Sequence, residues 1–188
     1  MNSATLLHIA LSVLSVILSI FVDSLIEWWV HKYPMHRKLP GPFFKFLFRH
    51  HVTIHHAKFS GEAYHHHNHK DRETIAFPLW VGPLLILTAI SPFWAFSYYI
   101  GNNIPVYSSL AVAILYYVCF EGFHQLMHME DYPVVRWIRK SKWFTWLDTH
   151  HEIHHLKAGV NFNLVCPLGD YAMGTLLTAS EYALKFKK

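Results

Sequence analysis

The chain has 188 residues, of which 53% are hydrophobic, 16% aromatic and 15% charged, with a formal net charge of +4. A soluble domain carries roughly 25% charged residues, so the balance points to a bilayer rather than to a large aqueous fold. All sixteen Lys and Arg fall in residues 31–75 and 124–188. Segregation of that kind is what membrane topology produces, and it excludes a basic face for nucleic acid.

Residues 5–30 are largely apolar, with only Asp23 and Glu27 as charges. At 1.5 Å per residue they are long enough to span, and without a basic leader or a small-residue cleavage site they read as a membrane helix, not a signal peptide. Pro34 is expected to end this helix near His31. Residues 76–100 are uncharged, Gly101-Asn102-Asn103 is a turn signal, and 104–123 is apolar except for Glu121. The two blocks form a helical hairpin. The expected fold is an all-α integral membrane protein, a single domain with three transmembrane helices at 5–30, 76–100 and 104–123. Residues 31–75 and 124–188 form a helical cap on the cytosolic side, carrying every basic residue and every histidine cluster. Residues 160–178, broken by Pro167, Gly169 and Gly174, are too interrupted to span and are expected to pack on the cap or lie in the interface. Cys119 and Cys166 share no motif and read as packing residues.

Seventeen histidines are present, and most are clustered: His31 with His36, His51 with His55 and His56, His124 with His128, and His151 with His154 and His155. Imidazole ligates Fe, Zn, Cu and Ni. His124 and His128, four apart on a helix, project from one face as a chelating pair. His51/His55 and His151/His155 repeat that spacing, with His154 at i+3 from His151. Adjacent members such as His55 and His56 diverge by about 100° on a helix, which allows each to serve a different ion. His50 and His150 each precede a candidate by one residue, and spacing alone leaves their register open. His65, His66, His67 and His69 lie in a polar stretch and read as a loop. Metal-bound imidazoles donate their second N–H to a carboxylate or carbonyl. Glu27, Glu121 and Asp148 sit three or four residues before clustered histidines and are the expected carboxylate partners.

Neutral nitrogen ligands leave paired metals cationic and suited to binding O2. Iron in such a site can attack an unactivated C–H bond, and a lipid tail offers such bonds at the membrane. No Gly-rich phosphate loop or dinucleotide fingerprint is present, so electrons for redox work must come from another protein.

The stretches His51-Val-Thr-Ile-His55-His56-Ala-Lys-Phe59 with Phe77-Pro78, Phe120-Glu121-Gly-Phe-His124-Gln-Leu-Met-His128, and His150-His151-Glu-Ile-His154-His155 with Val160-Asn161-Phe162-Asn163 and Pro167-Leu-Gly-Asp170 resemble the histidine boxes of the fatty acid hydroxylase/sterol desaturase superfamily of membrane di-iron oxygenases, over about residues 27–178. The resemblance implies two Fe ions, with Zn a substitute in a purified sample, ligated by His31, His36, His51, His55, His56, His124, His128, His151, His154 and His155. It also implies a lipid substrate, O2 and an external ferredoxin- or cytochrome-type electron donor, in a bacterial inner membrane or endoplasmic reticulum. Three spans rather than four, and the x3 spacing of His51 and His55, depart from many relatives and leave the substrate open. Desaturation is the sibling reaction. A membrane metal transporter or metal-storage protein and a bis-histidine haem protein are the readings from other classes.

Overall fold

The computed structural model describes residues 2–65, 74–130 and 132–186. The chain folds as helices α1 (Ser3–Val30), α2 (Pro42–Phe48), α3 (Val81–Ile100), α4 (Ile104–His128), α5 (Pro133–Ile138), α6 (Lys142–Leu156), α7 (Leu168–Ala172) and α8 (Ala179–Phe186), with no strand among the described residues. Two π-helical segments, His31–Met35 and Arg49–His56, continue α1 and α2.

Three helical stretches are long and apolar enough to cross a membrane: Ser3–Met35, Val81–Ile100 and Ile104–His128. Asn2 starts the first by accepting a hydrogen bond from the Thr5 amide at 2.8 Å. Leu7, Ile17, Leu87, Leu115 and Val118 stand exposed on the outer faces, a surface suited to lipid and costly in water. Helix α4 packs against both α1 and α3. Gly101, at φ +64°, ends α3 in the left-handed conformation that glycine adopts at no steric cost, which closes the hairpin tip.

One boundary is met only in part and one differs from expectation. The first α-helix ends at Val30 with His31 as its cap, as expected, but π-helical winding continues through Met35 with Pro34 inside. A π turn bonds i to i+5, and the extra residue per turn accommodates a ring that would meet the Val30 carbonyl in an α-helix. The second span begins at Val81, not at residue 76. Pro78 disfavours helical geometry at Phe77, whose amide donates instead to Glu121 Oε1 at 3.2 Å.

At one end of the bundle, Met35, Leu47, Tyr64, Phe77, Val81, Phe120, Met127, Phe144, Leu147 and Leu164 form the apolar core on which spans and cap meet. Residues 160–178 pack on the cap, with Asn161, Phe162, Asn163, Leu164 and Asp170 buried. Gly169 lies so close to α1 that a Cβ would stand 2.7 Å from the Ser24 carbonyl oxygen and 2.8 Å from Trp28 Cβ.

Candidate metal centre

Ten imidazoles gather at that end in two groups of five. The first holds His31, His36, His51, His56 and His154; the second holds His55, His124, His128, His151 and His155. Within each group the ligating atoms all lie within 4.8 Å of one another. The groups share a wall: His51 stacks on His55 with ring centroids 5.2 Å apart, and His56 stacks on His155 at 4.2 Å.

Helix type decides which ring goes where. His31 and His36, and likewise His51 and His56, are five apart, and both pairs lie on π-helical turns, where i and i+5 come into register. Both pairs therefore enter the first group. The α-helical expectation that His51 and His55 chelate together is corrected, because the π segment sends them to different groups. On the α-helices the i, i+4 pairs behave as spaced: His124 with His128 and His151 with His155 enter the second group. His154 leaves His151 and faces the first. The adjacent pairs His55/His56 and His154/His155 divide between the two groups.

The following close nitrogen approaches between these rings run from Nε2 to Nε2. In the first group the separations are 2.9 Å (His31–His51), 3.0 Å (His36–His154), 3.1 Å (His51–His36 and His56–His51) and 3.2 Å (His154–His56). In the second they are 3.1 Å (His55–His155, His124–His55 and His155–His151) and 3.2 Å (His128–His151). His31 Nδ1 donates to the Phe162 carbonyl at 2.5 Å, His154 Nδ1 to that of Val160 at 2.7 Å and His128 Nδ1 to that of Tyr64 at 2.9 Å. A carbonyl only accepts, so in the neutral rings these three Nε2 atoms carry inward-facing lone pairs. Lone pairs crowded together repel unless a cation lies between them.

Burial keeps the rings neutral. It pushes His36 down to about 3, with His154 nearby adding to the effect, and His154 down to about 4 against the opposing pull of the Val160 carbonyl. Burial, then neighbouring imidazoles, holds His51, His55, His56, His151 and His155 well below the usual histidine range. Neutral imidazole is the ligating form. Two nitrogens about 2.1 Å from a shared ion and about 3 Å from each other subtend about 90°, whereas a tetrahedral ion would spread them to about 3.4 Å. The residues therefore fit an ion of higher coordination number than the four of a structural zinc site. No carboxylate belongs to either group among the described residues.

The expected carboxylates do other work. Glu27 accepts from Tyr116 Oη at 2.6 Å, Asn163 Nδ2 at 2.9 Å and the Leu164 amide at 2.6 Å, fixing the segment whose Phe162 carbonyl orients His31. Glu121 accepts from Tyr117 Oη at 3.0 Å and from the Phe77 amide. Asp148 accepts from Tyr64 Oη at 3.2 Å and His65 Nε2 at 3.3 Å, with Arg139 Nε 3.5 Å away. It thus reaches the second group through Tyr64, whose carbonyl orients His128. Support comes from backbone carbonyls because the loop at 160–162 and Tyr64 arrive from elsewhere in the chain, nearer than any carboxylate on the same helix.

The residue that sequence reasoning missed is Asp170. Its carboxylate is buried and accepts from the Phe162 amide (2.9 Å), the Asn163 amide (2.8 Å), Thr175 Oγ1 (2.6 Å) and His150 Nε2 (3.2 Å). Burial would raise its pKa, but these bonds together hold it below the usual aspartate range. Asn161, at φ +57°, donates to the His150 and Leu177 carbonyls. The signal was the polar run Asn161-Phe-Asn163 beside Asp170, visible in sequence but mute about its partners.

His150 is therefore a buried partner of Asp170 outside both groups, and His50 packs beside Phe46 at 5.8 Å, also outside them. His65 is half-buried and faces Asp148. His66, His67 and His69 lie outside the described residues. Cys119 and Cys166 are free thiols.

Below the first group lies a narrow apolar cavity of about 50 Å³ between the three spans, with His31, Met35, Phe77 and Phe120 at one end and Asp23, Ala89 and Ala113 at the other. A groove of about 680 Å³ between α1, α2 and α3, walled by Trp29, Phe44 and Leu84, shares Ile26, Val30, Phe77 and Leu85 with it. No known protein family, curated protein or solved structure matches the chain.

Proposed function

We propose that this protein is a membrane di-iron oxygenase of the fatty acid hydroxylase/sterol desaturase type, hydroxylating a C–H bond of a lipid with O2 and electrons from an external ferredoxin- or cytochrome-type donor. One observation carries the reading: ten imidazoles, eight of them fully buried, converge in two adjoining groups at the head of an apolar cavity enclosed by membrane-length helices. The balanced reaction is RH + O2 + 2 e⁻ + 2 H⁺ → ROH + H2O. Two iron ions, held by the two groups of five, would supply O2 binding and the oxidising power for C–H cleavage.

The protein's own contribution is positioning and exclusion. Carbonyls of Val160, Phe162 and Tyr64 fix the Nδ1–H tautomer of His154, His31 and His128, so that Nε2 faces inward without rotational search. Phe77 and Phe120, stacked with centroids 5.7 Å apart, line the cavity near His31 and keep water from the reacting carbon. The groove beside the cavity gives an alkyl tail a lateral way in from the bilayer. The basic residues flanking the histidine end support a cytosolic placement of that end. A transport protein would place its ligands between the spans; among the described residues both metal-ligand groups lie at the helix ends instead.

The test is purification with iron, metal analysis, and mass spectrometry of lipids incubated with ¹⁸O2 and a reductant. Two irons per chain and ¹⁸O in a lipid product are expected. A chain that binds iron yet incorporates no oxygen, and moves metal across vesicles instead, would reverse the assignment.

A further inference from the structure

The deep end of the cavity contains a carboxylate that the centre does not use. Asp23 lies on α1 two turns before His31, is 7% exposed and lines the cavity. Its Oδ2 is buried without a hydrogen-bond partner among the described residues. Glu27, one turn away on the same helix, shows the contrast, because its carboxylate is filled by Tyr116, Asn163 and Leu164. The other polar side chains at the cavity wall are likewise engaged: Tyr116 with Glu27, Tyr117 with Glu121. Ser19, one turn deeper than Asp23 on the same face, is also buried with its Oγ unpartnered among the described residues.

A carboxyl group inside a membrane span is costly unless something polar meets it. Here no described residue meets its Oδ2, and Asp23 lines the cavity itself. We infer that Asp23 receives a hydroxyl group of the lipid substrate, an assignment that rests on the oxygenase reading and narrows its substrate class. A hydroxyl both donates and accepts, so it satisfies the carboxyl in either protonation state, and it costs far less to bring into an apolar cavity than an ammonium or phosphate. Eight residues separate Asp23 from His31, about 12 Å along the helix. The substrate is therefore a hydroxyl-bearing lipid whose oxygen sits about 12 Å from the carbon presented to the metal centre. Anchoring at that depth would fix which carbon reaches His31, as a plain alkyl chain sliding in an apolar tube would not.

The test uses the full chain, metal-free, in nanodiscs, with dodecanol and dodecane as probes. Binding is read by competition and by the infrared carboxyl stretch of Asp23, identified by its loss in Asp23→Asn. Dodecanol should bind about tenfold or more tighter than dodecane and shift that band. Asp23→Leu should bind the two equally while still taking up two irons per chain, and Asp23→Asn should keep part of the preference. If Asp23→Leu fails to fold, the band shift in the native chain decides. Equal binding, or an unshifted band, overturns the assignment; so does a band already shifted by bound water that dodecanol leaves unchanged. A chain that holds iron and oxidises lipid but ignores the hydroxyl loses only this inference. A chain that holds no iron loses the oxygenase reading, whatever Asp23 binds.

Discussion

Replacing Asp170 by Asn tests whether the loop after α6 governs half of the metal centre. The substitution keeps the shape but turns one accepting oxygen into an N–H donor. Phe162 N and Thr175 Oγ1 share Oδ1, while Asn163 N and His150 Nε2 share Oδ2, so either amide orientation leaves two donors facing a donor. At about 1–3 kcal/mol for each buried donor left unmatched, Asp170→Asn should destabilise the chain by about 2–6 kcal/mol. The local effect is more telling. The loop's carbonyls at Val160 and Phe162 orient His154 and His31, both in the first group. Loss of such outer support weakens metal binding about 10- to 100-fold, or about 1.4–2.7 kcal/mol. Titration of the metal-free variant with Fe(II) against a competing chelator should thus give one weakened site and one unchanged. Equal weakening of both, or of neither, would refute the idea that this loop serves one group alone. The pH profile adds a check. Asp170 is held below its ordinary pKa, so its stabilisation is complete above that ordinary value and fades as pH falls through the lower, folded one. Asp170→Asn should lack this acid-side loss.

Further outcomes can be set beside it. His154→Ala should empty the first group and His128→Ala the second, each abolishing product while the chain still inserts in membranes; metal counts near one per chain would agree, and retained turnover would remove that residue from the ligand set. His65→Ala, which loses a part-buried contact of 3.3 Å to Asp148, should cost about 1 kcal/mol and leave both metals bound. Acid should unfold the metal-free protein early. His36 folds with a pKa of about 3 against about 6.5 unfolded, so below 6.5 the unfolded chain binds the extra proton, and at pH 5 this one ring costs about 2 kcal/mol relative to pH 8. A denaturation midpoint flat between pH 8 and 5 would contradict that. Gly169→Ala should destabilise by about 1–3 kcal/mol, since its Cβ would press on the Ser24 carbonyl and Trp28; thermal unfolding reads this directly.

The membrane-length helices were legible because hydropathy and charge are summed properties of long segments, insensitive to detail. Their ends were less so: Pro34 in isolation reads as a terminator, yet a π turn carries it. The same blindness affected the pairing of His51. An i, i+4 rule presupposes 3.6 residues per turn, and nothing local in Arg49–His56 announces a wider helix except the matching x4 intervals of His31/His36 and His51/His56, which become meaningful only together. Glu27, Glu121 and Asp148 were chosen by closeness along the chain, whereas tertiary proximity awarded His31, His128 and His154 to carbonyls as far as 131 positions away. Asp170 belonged to a conspicuous polar run, but which donors it gathers is settled by a loop closing back on α1 and α6.

That reach of 131 positions between His31 and the Phe162 carbonyl has a consequence for biosynthesis. The histidines nearest the N-terminus leave the ribosome long before the strap that steadies them. An ion captured by His31, His36, His51 and His56 at that moment would meet an unfinished nest, lacking His154 and open to exchange. On the di-iron proposal, secure loading would await translation past Asp170, and iron would be delivered late, to a completed chain.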